Sequence, residues 1–289
     1  MLVLSRAEVE ALLDPDRLID ALADAMADLS AGRASVPNRV AAEVPEAPGA
    51  LLAMPAFLPS AAALAAKLVS LFPRNTARPT HQAVIACFDP GDGTPVALLD
   101  GTAITELRTA ACSALATRLL AREDVRVLAV LGTGVQARAH GRLVPRVRRF
   151  ERLVVAGRDR GKAEALAREL AAELGVPAEA GSFDEAVRAA DVVCACTHSP
   201  EPVVRRAWLR DGAHVTSVGY NTAGREVDGE TVRDALVVVE SRAAALAPPP
   251  AGSNDLLWPI RDGLIGPDHV HAELGELVSG AKPGRTSRE

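Results

Sequence analysis

At 289 residues, 48% apolar and 24% charged, the chain has globular composition and length enough for two domains, or for one plus a dimerisation layer. A formal charge of −5 argues against a nucleic-acid surface, and the cluster Arg146, Arg148, Arg149 and Arg152 reads as a solvated helix end. No stretch reaches the roughly 20 uncharged apolar residues of a membrane span and no signal-peptide pattern opens the chain, so a cytoplasmic location is expected.

Ser5-x-x-Glu8 ahead of an apolar run predicts a capping box, and Asp14-Pro15 predicts the start of a second helix. Leu18, Leu22, Met26 and Leu29 would form its buried face, and Gly32 its end. From Val36 to Leu58 four prolines, Pro37, Pro45, Pro48 and Pro55, favour short strands over helix. Further strands are expected over Ala61 to Phe72, Ala83 to Phe88 and Val96 to Leu99, the last two joined as a hairpin by the turn Asp89 to Pro95. A helical pattern runs from Thr105 to Leu120, with Leu107, Ala111, Leu115 and Leu119 on one stripe.

The segment Arg126 to Arg158 combines a strand to Leu131, the turn Gly132-x-Gly134-x-x-Ala137, a helix and a second strand over Leu153 to Ala156. This is the opening unit of a dinucleotide-binding fold, in which backbone N–H groups at a helix start face a pyrophosphate. Where an acidic residue would bind a ribose 2′-hydroxyl stands Arg158, followed by Asp159. A guanidinium suits a 2′-phosphate, which favours NADP(H) and leaves NAD(H) possible. The other reading makes Arg158 a solvated charge and gives the ribose to Asp159.

A helix over Gly161 to Leu174 closed by Gly175, a second capping box at Ser182-x-x-Glu185, and strands over Asp191 to Cys196, Ala213 to Val218 and Ala235 to Glu240 extend the alternation into a doubly wound parallel sheet of α/β class. Pro248-Pro249-Pro250 would mark its exit. Cys87, Cys112, Cys194 and Cys196 have neither disulfide nor metal spacing, and His140, His269 and His271 find no third ligand, so no metal is expected.

Ligands of such a sheet bind beyond the carboxyl ends of its strands, which selects Thr197-His198-Ser199 and Gly219-Tyr220-Asn221. The polar candidates of the N-terminal half are Arg39, Lys67, Gln82 and Arg108. Lys67 interrupts an apolar run, either as a buried cation with a task or with its stem along the core edge and its head in water. Arg108, in the first turn of a helix beginning near Thr105, would make a carboxylate site with free backbone N–H groups, or face solvent.

In sequence, Lys67, the run Asp100-Gly-x-x-Ile-Thr-x-x-Arg108-Thr-Ala-Ala, Gly132-x-Gly-x-Gln136, Thr197-x-Ser199 with Pro202, Val218-Gly219 and Arg225-Glu226-Val227-Asp228 resemble the ornithine cyclodeaminase/mu-crystallin family over roughly residues 30 to 285. The resemblance implies a homodimer. Each subunit would pair a Rossmann domain, 118–265, with an α+β dimerisation and substrate domain around a small barrel-like sheet, 1–117, to which 266–289 return. It implies that Arg39, Lys67 and Arg108 hold the substrate carboxylate and nitrogen. The cofactor would be bound by Arg108, Thr109, Gly132, Gly134, Val135, Gln136, Arg158, Asp159, Thr197, Ser199, Val218 and Gly219. It also implies hydride transfer between a nicotinamide and a carbon bearing nitrogen.

Two departures shape the expectation. Asn221 stands where the cyclodeaminases carry a proton-transferring aspartate, and an amide cannot exchange a proton in that way. With Lys67 and Asn221 as the catalytic candidates, reduction of a cyclic imine carboxylate is therefore expected. An ornithine cyclodeaminase holding NAD and a non-catalytic NADP-binding protein are the alternatives. Family members also usually continue past Pro283-Gly284-Arg285 into a segment that packs back, so a cofactor-closing contact is expected to be missing.

Overall fold

The computed structural model describes residues 1–219, 221, 223–248 and 252–288. The chain divides after Arg108 into two units.

The first unit begins with β1 (Leu2–Leu4), α1 (Arg6–Leu12) and α2 (Pro15–Ser30). The expected capping box closes α1, with Glu8 accepting from Ser5 N at 2.8 Å. Asp14 caps α2 by accepting from Asp16 N and Arg17 N, both at 2.9 Å. Then follow β2 (Val40–Val44), β3 (Gly49–Leu58), β4 (Ala63–Leu71), β5 (His81–Phe88) and β6 (Pro95–Asp100). With β1 they form an open sheet of order β1-β6-β5-β4-β3-β2, antiparallel except for the β1–β6 pair. Pro55 does not interrupt β3, because the β2 ladder ends at Val40↔Ala53 and the missing N–H falls beyond it.

Pleating sends alternate residues to opposite faces. Leu52, Met54, Lys67, Val69, Ala83 and Ile85 share one face through the pairs Leu52↔Val69↔Ala83 and Met54↔Lys67↔Ile85. The other carries Val40, Val44, Leu51, Leu68 and Val84, all exposed.

The helix α3 (Gly101–Leu120) starts a turn earlier than the apolar stripe suggests. Asp100 Oδ1 accepts from Ala103 N at 2.8 Å, and Gly101 leaves room for Ala83, whose Cβ would lie 2.9 Å from a side chain there. Arg108 therefore lies two turns into the helix and not in its first turn. Backbone N–H groups at that depth are engaged within the helix, so the expected helix-start contribution to a carboxylate site is withdrawn. The single stripe is also replaced by burial all round, with Ala110, Ala111, Cys112, Ala114 and Leu115 in the core.

The second unit contains β7 (Val127–Leu131), α4 (Val135–Leu143), β8 (Arg152–Ala156), α5 (Arg160–Leu174), β9 (Ala178–Gly181), α6 (Phe183–Ala189), β10 (Val192–Ala195) and β11 (His214–Ser217). All five strands are parallel, in the order β11-β10-β7-β8-β9. This is Rossmann topology, whose winding reverses between β7 and β10, where a crevice opens at the carboxyl edge. The apolar runs are buried on both faces, with Leu128 to Leu131 and Val192 to Ala195 each at 0% exposure.

Next come α7 (Gly229–Asp234), β12 (Val237–Val239), α8 (Arg242–Ala245), α9 (Asn254–Arg261), β13 (Val270–Glu273) and α10 (Leu274–Val278). The expected strand over Ala235 to Glu240 exists as β12, but it pairs with β13 in a separate two-stranded sheet and does not extend the central one. Apolar content marks a strand without saying which sheet it joins. Residues 266–289 likewise belong to the second unit rather than the first, where Arg285 Nε donates to Leu120 O at 2.7 Å. Pro249 and Pro250 of the expected exit, and Tyr220, lie outside the described residues. Among the described residues no helix is long and apolar enough to cross a membrane.

Candidate functional site

In the second unit, the turn after β7 is shaped by three small residues. Gly132 has φ +120 and donates its N–H to Ala156 O at 2.7 Å; a Cβ there would lie 2.6 Å from Cys196 O. Gly134 caps α4, and a Cβ on it would meet nothing within 4 Å. Ala137 is fully buried beneath the turn. The Oε1 atom of Gln136 is buried without a hydrogen-bond partner among the described residues. Open space at a helix start fits a pyrophosphate, and the orphaned acceptor of Gln136 suits a hydroxyl or amide donor of the nucleotide attached to it.

Arg158 is exposed just beyond β8. Asp159 caps α5, its Oδ1 accepting from Lys162 N at 3.0 Å, so one of its oxygens already serves the backbone.

The loops after β10 and β11 meet at a carboxylate to which the sequence alone assigns no role. Glu226, 3% exposed, accepts from Thr197 N at 2.5 Å and from Gly219 N at 2.6 Å. Ser199 N donates to Thr197 Oγ1 at 3.1 Å, and Val218 N to Ala195 O at 3.0 Å. Burial raises the Glu226 carboxyl above its ordinary range against the lowering effect of the Thr197 hydrogen bonds, and burial likewise raises Asp255. Asp255 Oδ1 accepts from Glu226 N at 2.9 Å and Val227 N at 3.1 Å. Asn221 has both ends of its amide engaged: Nδ2 donates across to His198 O in the loop after β10 at 3.0 Å, and Oδ1 accepts from Ala223 N in its own loop at 2.8 Å. The Oδ1 bond to a residue two positions on is an Asx turn, and the Nδ2 bond links the two loops.

Other polar candidates of this unit have structural roles. His140 Nδ1 donates to Gln136 O at 2.8 Å, which leaves Nε2 to accept from Ser113 Oγ at 2.9 Å. Burial lowers its pKa to about 4, so it stays neutral. Burial pushes the Cys194 thiol up to about 12 and Cys196 well above its usual value, which leaves both unreactive. No group of three or more metal-binding side chains occurs among the described residues.

In the first unit, Lys67 is half-buried between the cross-strand neighbours Met54 and Ile85. Its pKa is lowered first by burial, then by Arg108, then by Arg39. The two charges acting on it are thus both positive, a cluster that costs free energy unless an anion offsets it. Gln82 does not join them, because it pairs with Ser70 on the opposite face. Thr109, directly after Arg108 in α3, is half-buried. The structure thus groups Arg39, Lys67 and Arg108 in one unit. In the other it groups Gly132, Gly134, Val135 and Gln136 at the turn, and Thr197, Ser199, Val218 and Gly219 at the strand ends.

The family model described as the ornithine cyclodeaminase/mu-crystallin family matches residues 1–289. Ketimine reductase mu-crystallin of Mus musculus is 38% identical over 277 residues, covering 94% of this chain and 84% of its own length. The Δ1-pyrroline-2-carboxylate reductase of Thermococcus litoralis, solved in complex with NADH and L-proline, is similar in structure with a TM-score of 0.93 and 38% identity. That match covers 100% of this chain and 90% of the other. An archaeal alanine dehydrogenase dimer with bound NAD follows at a TM-score of 0.91 and 30% identity, covering 100% of this chain and 88% of its own.

Proposed function

Because the chain belongs to the ornithine cyclodeaminase/mu-crystallin family, we propose that it reduces the C=N bond of a cyclic imine carboxylate, such as pyrroline- or piperideine-2-carboxylate, with NADPH in preference to NADH. When bound, the nicotinamide supplies a hydride to the imine carbon. Arg108 and Arg39 anchor the substrate carboxylate, and Lys67 delivers the proton that the nitrogen gains.

The observation that supports this most is the half-buried Lys67 with Arg108 and Arg39 acting on it. Burial, then the charges of Arg108 and Arg39, lower the Lys67 pKa, which makes Lys67 a better proton donor, and a carboxylate bound beside the three cations is attracted by each of them. Ornithine fits this surface poorly. Its second ammonium would meet the same cations, while the neighbours of Lys67 on its face are apolar and suit a hydrocarbon ring. Asn221 also offers no carboxylate to shuttle a proton. The decisive assay follows NADPH with Δ1-pyrroline-2-carboxylate and, separately, ammonia from ornithine. Consumption well above the blank with no ammonia is expected; ammonia with proline, or tight NADPH binding without turnover across a panel of cyclic imines, would overturn the reading.

The preference for NADPH rests on Arg158, exposed beyond β8 while Asp159 is engaged as a helix cap. Loss of a charge-assisted contact to phosphate costs about 1.5–3 kcal/mol, or roughly 10- to 100-fold. Arg158→Ala should therefore raise the KM for NADPH by that factor and leave that for NADH nearly unchanged. Equal changes would assign Arg158 to solvent.

The apolar face formed by Val40, Val44, Leu51, Leu68 and Val84 supports pairing with a second copy, since an exposed patch of this kind marks an interaction surface. A homodimer is accordingly part of the proposal.

A further inference from the structure

We infer that Glu226 is a positioning residue for the nicotinamide nucleotide, its one buried carboxyl group tying the loop after β10 to the loop after β11 and so fixing the edge of the sheet against which the cofactor lies. The inference rests on the reading of the second unit as the nucleotide-binding half. It adds a residue that neither the glycine turn nor the cation trio implies.

Each oxygen of Glu226 serves a different loop. Oε1 accepts from the backbone N–H and the hydroxyl of Thr197, both at 2.5 Å. Oε2 accepts from Gly219 N at 2.6 Å. Thr197 in turn accepts from Ser199 N, so the carboxyl group orients Ser199 through it. Gly219 admits the arrangement because a Cβ there would collide with Glu226 Oε2 and with Thr197 O. Buried hydrogen-bonded links of this kind hold loops far more firmly than exposed ones.

Asp255 braces the clamp from behind. It accepts from the N–H groups of Glu226 and Val227, and its Oδ2 lies 2.6 Å from Ser217 Oγ. Ser217 Oγ also lies 3.1 Å from Glu226 Oε2. A hydroxyl has one proton to give. If Ser217 donates to Asp255, its contact with Glu226 is satisfied by a proton on Oε2, and the pair then holds one proton between two carboxyl groups. Arg225 favours the charged form of Asp255, whereas the charge of Asp255 disfavours that of Glu226.

Full-length Glu226→Ala and Glu226→Gln would be measured for NADPH binding by fluorescence titration, for thermal stability, and for separate KM values. Glutamine keeps an acceptor for Thr197 and a donor for Ser217 but offers Gly219 N no acceptor. The expected result is NADPH affinity at least about tenfold weaker in the alanine variant, a smaller loss in the glutamine variant, and an unchanged KM for the imine. If the alanine variant does not fold, the glutamine variant decides: a loss of NADPH affinity with the imine KM unchanged supports the inference, and wild-type affinity overturns it. Wild-type affinity in a folded variant that lacks the carboxylate, or parallel increases in both KM values tracking a loss of stability, would overturn the inference. Failure of the wild-type protein to bind either NADPH or NADH would instead overturn the underlying nucleotide-binding reading.

Discussion

Lys67→Ala is expected to lower kcat for imine reduction by about 10²- to 10⁴-fold, the usual contribution of a positioned proton donor. NADPH binding should change little, because the residues assigned to the nucleotide turn are elsewhere in the chain. The pH profile gives the sharper test. Burial and the charges of Arg108 and Arg39 place the Lys67 pKa below its ordinary 10.5. The donor form is therefore lost as pH rises through that lowered value, and kcat should fall on the alkaline side at a lower pH than a solvated lysine would set. Lys67→Arg carries a charge that does not titrate in this range, so it should remove the alkaline limb along with much of the rate. An alanine variant within a few-fold of wild type, or an unchanged limb in the arginine variant, would assign the proton to water or to the substrate's own iminium.

What was legible in the sequence was chemistry confined to short spans. Both capping boxes, the Asp14 cap, the hairpin after Asp89 and the glycine turn each depend on residues within a few positions of one another, and each appears in the structure. The start of α3 was missed because an apolar stripe reports the buried face and not the cap, which Asp100 supplies a turn earlier. The partner of β12 could not be read because the ladder to β13 spans some thirty residues. Glu226 and Asp255 were missed for the same reason. Their hydrogen bonds reach Thr197 and Glu226 across 29 residues each, and the only local signal was the Arg225-Glu226-Val227-Asp228 run, whose chemistry has no spacing rule. Asn221 stands out in the sequence because the cyclodeaminases carry an aspartate there, whereas its bridge to His198 in the loop after β10 is visible only in three dimensions.

Gly132→Ala and Gly134→Ala are expected to separate the architecture of the turn from its ligand. At position 132 a side chain meets two penalties at once: φ +120 is strained for an L-residue, at about 1–3 kcal/mol, and its Cβ would press on Cys196 O at 2.6 Å. That carbonyl cannot easily give, because Cys196 N is itself held by Leu131 O at 2.8 Å. The melting temperature should therefore fall by several degrees and nucleotide affinity by at least about 100-fold, since the turn must shift to relieve both. At position 134 φ is −90 and a Cβ meets no protein atom, so the alanine variant should melt like wild type. The space it fills is the space a pyrophosphate would occupy, and NADPH affinity should drop by about tenfold or more without any loss of stability. Unaltered NADPH binding by a stable Gly134→Ala protein would mean that the empty side of the turn receives no phosphate, and the nucleotide would have to be sought elsewhere on the sheet.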